Sequence, residues 1–151
     1  MSLKNIIRYI CHNYPHSHEL SNARLTKMIY LADWEYAKRH GKQLTEIRWF
    51  FDNYGPFVND VKNEATADHL IDVIHTTTQY GTPKVLIKYK GDGSNYNISD
   101  EEEAVIEGVI AVTQDKYWNS FIKFVYDTYP IENNPRYTHL DLVKLAVEDR
   151  N

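Results

Sequence analysis

The sequence predicts an α+β fold, mainly helical, with about six helices and a small antiparallel β-hairpin in a single domain. Three observations carry this reading. Apolar residues recur at intervals of three and four along most of the 151 residues. One stretch alternates instead, with Val85, Ile87 and Tyr89 set against Leu86, Lys88 and Lys90 beyond a turn near Gly81. No linker, repeat or low-complexity tract divides the chain, and its length suits one core burying about two thirds of the unfolded surface.

Leu3, Ile6, Ile7, Ile10, Cys11 and Tyr14 form the face of a first helix, which Pro15 ends. Cys11 lies on that face and reads as a small buried hydrophobe, because no His/Asn pair is placed to activate it. His12, His16 and His18 fall in a solvent-facing loop with no second cluster of ligands. The longest pattern follows. Leu25, Met28, Ile29, Ala32 and Tyr36 make one stripe, and Leu31 and Trp34 widen it. Ser21 or Asn22 can cap the start, and Gly41 after Lys38, Arg39 and His40 suits a left-handed stop. Ile47 to Phe51 is β-branched and aromatic, hence extended. Asp52, Asn53 and Gly55 turn the chain. Pro56 is then expected to open another helix, with Phe57, Val58, Val61 and Ala65 inward.

Leu70 to Thr78 starts with helix-like charge and ends β-branched, and the hairpin around Gly81 claims it. In the polar loop that follows, Asp92, Ser94, Asp100 and Glu103 stand at calcium-loop positions. Tyr96 and Asn97 occupy the places of a ligand and the turn glycine, so no calcium site is expected. Ser99 and Glu102 have capping-box spacing for a helix from Asp100, with Ala104, Val105, Gly108, Val109 and Val112 inward. Trp118, Phe121, Ile122 and Val125 mark a further helix that closes at Pro130. His139 to Val147 is the last, with Thr138 as cap and Leu142, Val143, Leu145 and Ala146 to bury.

Hydrophobic residues make up 42% and charged residues 25%, ordinary for a soluble protein. Twelve tyrosines and three tryptophans point to an aromatic core or contact surface. A net charge of −4 supplies no basic field for nucleic acid. One cysteine suits a reducing compartment, no apolar run is long enough for a membrane span, and Lys4, Asn5 and Arg8 interrupt any signal peptide. The cytoplasm is the expected location. No phosphate loop, nucleophile elbow, dinucleotide fingerprint or zinc motif occurs, so no catalytic residue, metal or cofactor is assigned. Glu101, Glu102, Glu103 and Glu107 are a solvated charge run. A small hydrolase or nuclease would have to assemble separated residues such as Asp33, Asp52 and His75, and a nuclease would lack its positive surface. Tyr30, Trp34, Trp49 and Tyr54 have two readings, core or protein contact.

"LTKMIYLADWEYAKRHGKQL", followed after a short aromatic strand by "YGPFVNDV", resembles the Panacea domain, the SocA-like antitoxin family. Lys27, Tyr30, Gly41, Leu44, Tyr54, Gly55 and Pro56 match its pattern, and "FVYDTYPI" resembles the segment closing the domain in some members. These motifs are structural. The resemblance implies a non-enzymatic antitoxin, often encoded beside a toxin or in a prophage. It would neutralise a nearby-encoded toxin by direct contact, or present it to an AAA+ protease. Its contact surface is expected on the Ser21–Phe57 stretch, with Tyr30, Trp34, Trp49 and Tyr54 as candidate anchors.

Overall fold

A computed structural model describes residues 3–151. Its centre is helix α2 (Asn22–His40), capped as its sequence requires. The Ser21 hydroxyl accepts from the Arg24 N–H at 3.1 Å, and Gly41 ends the helix at φ +71°. Residues 25–34 are buried without a break, including Lys27 and Asp33. A helix buried all round must be covered on every side, more than its apolar stripe predicts. The cover comes from α1 (Leu3–Asn13), α3 (Asp60–Ala67), α4 (Asp100–Thr113), α7 (Leu142–Arg150) and two hairpins. One hairpin is β1–β2 (Phe50–Asp52, Gly55–Phe57) and the other β3–β4 (Ile71–Thr77, Pro83–Tyr89). A 3₁₀ turn (Ser17–Glu19), α5 (Trp118–Tyr126) and the single turn α6 (Tyr129–Glu132) complete the described chain. The fold is α+β and mainly helical.

Local signals placed several elements correctly. Ser99 and Glu102 form the full capping box of α4, Gly81 turns β3–β4 at φ +78°, and the run up to Thr77 is strand. Cys11 is buried, and that burial pushes its thiol up to about 12. Arg8, outside the apolar stripe of α1, is also buried. Its guanidinium grips Asp68 through two bonds of 2.7 Å, tying α1 to the C-cap of α3 just before β3.

Several expectations are overturned: Val143 is exposed, α5 ends at Tyr126 with Pro130 inside α6, and three further ones bear on packing. Pro56 does not open a helix. It lies in β2 opposite Phe51, on a short edge strand where a missing N–H is tolerated, and α3 starts at Asp60. Thr138 does not cap the last helix. Tyr137 turns the chain at φ +68°, and the residues after it lie beside β1, with the Phe51 N–H donating to Thr138 and the Leu140 N–H to Trp49, so the helix waits for the Asp141 cap. On α4 the inward face is Glu102, Val105, Ile106, Val109, Ile110 and Thr113. Ala104, Gly108 and Val112 face outward, because α2 meets a different side of α4 from the one its small residues indicated.

Candidate functional site

Lys27, Tyr30 and Asp33 of α2 meet the first hairpin and the segment leading into it. Asp33 is completely buried and its carboxylate accepts from the Thr45 N–H at 2.9 Å, the Thr45 hydroxyl at 2.5 Å and the Trp49 indole at 2.8 Å. Gln43 adds a longer contact at 3.4 Å. Burial outweighs these donors and pushes the Asp33 carboxyl up to about 6. The interaction seats the strand entry, residues 45–49, on α2. Tyr30 packs edge-on against Trp49, and its hydroxyl meets that of Thr128 at 2.8 Å. Trp34 stacks on Tyr129. Hence "FVYDTYPI" closes over α2 through Thr128 and Tyr129, while Tyr126 packs on Phe51 of the first hairpin.

Lys27 is buried at 3% exposure beneath β1–β2. Burial drives its ammonium down to about 8, while Asp52 favours the charge. Gly55, at φ +104°, passes close above: a Cβ there would sit 3.3 Å from the Tyr126 ring and 3.8 Å from the Lys27 side chain. Leu44 is buried after the Gly41 stop. Lys27, Gly55 and Pro56 therefore shape the first hairpin, while Gly41 ends α2 and Leu44 packs in the core after it.

Of the four candidate anchors, Tyr30 and Trp49 are 0% exposed and Trp34 is 3% exposed, so these three are interior. Of their two readings, burial favours the core one for these three. Tyr54, at the tip of β1–β2, is 80% exposed. It lines an open groove of about 1090 Å³ with three aromatics that pattern reading left unassigned or placed inside. Tyr80 tops the second hairpin, while Tyr117 and Trp118 turn the corner from α4 to α5. All four are exposed. Arg24 builds that corner, donating to the carbonyls of Thr113 and Lys116 at 2.7 and 2.9 Å and lying over Phe121. Glu19, Lys84, Asp115 and Lys116 add charge around it. The available signal was local: Tyr80 and Tyr117 sit in turn segments, where large side chains are seldom covered.

Asp33, Asp52 and His75 do not come together. Asp33 is sealed by its donors, Asp52 accepts from the neighbouring Asn53 N–H, and His75 is exposed on β3. The loop histidines separate as well. His12 contacts the Tyr96 hydroxyl at 2.7 Å, His16 packs on Tyr14, and His18 lies 3.6 Å from Glu19. Asp92 accepts from Ser94. Among the described residues no group of three or more His, Cys, Asp or Glu could hold a metal ion, and no helix is long and apolar enough to cross a membrane.

The fold thus holds a buried lysine, a glycine-stopped central helix and a Tyr-Gly-Pro corner. Residues 25–130 match the family described as antitoxin SocA-like, Panacea domain, and the chain belongs to that family. No curated protein and no solved structure matches it.

Proposed function

We propose that this protein is a non-enzymatic antitoxin that neutralises a cognate toxin protein by direct binding through the groove of Tyr54, Tyr80, Tyr117 and Trp118. The observation that carries this reading is the gathering of four exposed aromatics from three separate segments around one concavity. Exposed Tyr and Trp supply large contact area with little conformational freedom to lose, and they supply much of the binding energy in protein interfaces. Family membership supports a toxin as the partner. The net charge of −4 favours faster capture of a basic toxin at low salt. The toxin gene is expected nearby, and the complex forms in the cytoplasm. Delivery of the bound toxin to an AAA+ protease is the finer form of the same role.

Co-expression with the adjacent gene tests it. The neighbour alone arrests growth and this protein restores it. Joint alanine substitution of Tyr117 and Trp118 weakens rescue while leaving the thermal melt near that of the parent. A harmless neighbour, or rescue that survives alanine at all four aromatics, defeats the proposal. Adaptor activity would appear as a shorter toxin half-life in the presence of this protein, dependent on the protease.

A further inference from the structure

The β3–β4 hairpin is closed along one edge and open along the other. At the two ends of its ladder the Lys90 N–H donates to Leu70 at 2.8 Å and the Thr78 N–H to Thr82 at 2.9 Å. Antiparallel pairing alternates bonded and non-bonded positions. With register 71↔89 to 77↔83, Asp72, Ile74 and Thr76 therefore turn their main-chain groups towards β4. Val73, His75 and Thr77 turn theirs away. Pro83 agrees with this phase: it has no N–H, and it lies opposite Thr77, where β4 makes no bond to β3.

The outer edge of β4 is occupied. The Ile87 N–H donates to Leu20 at 3.0 Å, and Ser21 bridges to Leu86. Lys84 and Lys88 stand on that strand as well, and such residues discourage further pairing. The outer edge of β3 has no comparable protection. Ile71 is tied to Asp68, but among the described residues no bond joins the main chain of Val73, His75 or Thr77 to another segment. The sheet has two strands only, the register contains no bulge, and β3 carries neither Lys nor Pro. Ile74, His75, Thr76 and Thr77 are exposed.

We propose that residues 73–77 form a docking edge for an extended segment of the toxin, which adds a third strand beside β3 while another part of the toxin fills the aromatic groove. This inference rests on the antitoxin reading above. Two observations select the toxin over a second copy of this chain. An edge of five residues is about 17 Å long. Its pairing alone covers far less than the roughly 800 Å² per partner usual in a stable complex. The edge also runs directly into the groove, because Thr78 and Tyr80 follow β3 and line it. A partner already held there gains strand pairing as an intramolecular second contact. Main-chain bonds would carry this contact. Beside Ile74 the pleat suits a β-branched or aromatic residue, and proline is excluded where the partner must donate to Val73, His75 or Thr77.

The test uses the toxin whose growth arrest this protein relieves, purified with and without this chain. His75→Pro removes an outward N–H that β4 does not use, and Thr77→Pro does so nearer the hairpin tip. Either variant that keeps the parent melt should weaken binding by about tenfold, whereas His75→Ala, which keeps the N–H, stays within about twofold. Amide exchange at residues 73, 75 and 77 should be fast in the free chain and slow in the complex. Parental affinity in the proline variants with no new protection overturns the docking edge and leaves the groove standing. An equal loss with His75→Ala also overturns it, since the side chain would then be responsible. Protection of these amides in a dimer of the free chain assigns the edge to a second copy instead. If no toxin is relieved, the antitoxin reading falls and the edge proposal with it.

Discussion

The two hairpins end in the same pair of residues, Tyr54-Gly55 and Tyr80-Gly81, yet they are held in different ways. Both tyrosines are exposed and both glycines have positive φ. Gly55 is buried against Tyr126 and lies over Lys27, while nothing lies within 4 Å of a Cβ built at Gly81. Strand β1 is seated from below by Asp33 and Trp49 and flanked by residues 137–140. Strand β3 is anchored at its first residues and then runs free along its outer edge. One hairpin is built into the core and the other reaches out from it. The difference teaches that a tight turn records how the chain reverses and carries little information about what surrounds it.

The largest expected effect breaks the anchored hairpin. Asp33→Ala leaves the Trp49 indole, the Thr45 N–H and the Thr45 hydroxyl buried without their acceptor, and should destabilise the protein by about 3–5 kcal/mol in urea unfolding. A loss below about 1 kcal/mol would show that the first hairpin is seated by packing alone. The pH dependence sharpens the point. Folding raises the Asp33 pKa to about 6, so the folded state holds this proton more tightly than the unfolded chain. The stability contributed by Asp33 is therefore fully present below its unfolded pKa, near 4, and is lost as pH rises through about 6. Melts recorded across that window should lose this component of the slope in Asp33→Asn.

Next come the glycines. Gly55→Val combines a strained φ with crowding against Tyr126 and should destabilise by roughly 1–3 kcal/mol, whereas Gly81→Val meets strain alone and should lose about 1 kcal/mol. Equal losses in paired thermal melts would erase the distinction between the hairpins. The smallest effects belong to the tips. Tyr54→Ala and Tyr80→Ala should each leave stability within about 0.5 kcal/mol of the parent, because neither ring is covered. A clear drop in Tm for either would mean that its ring supports the fold rather than a partner.

Much of the scaffold was legible because its signals are short-range. The Ser21 cap, the Gly41 stop, the Ser99–Glu102 capping box and the Gly81 turn each depend on hydrogen bonds or φ values within a few residues. The Lys27-to-Pro56 pattern was equally legible as a motif, and it identified the family. The site was less so. Tyr30, Trp34 and Trp49 have the residue types of an interface but lie inside, whereas Tyr80 and Tyr117 carried no pattern and lie on the rim.

By itself the sequence determined most of the helices, the main turns, the lone buried thiol and the antitoxin family, since periodicity, capping and backbone preference act locally. Only the tertiary structure decided that Pro56 is a strand residue, that residues 137–140 pair with β1 before a helix can start, and which side of α4 faces α2. It also decided which aromatics remain in water and which edge of the second hairpin remains unpaired. Exposure and free hydrogen-bonding edges depend on what packs alongside, and those neighbours come from segments tens of residues away in the chain.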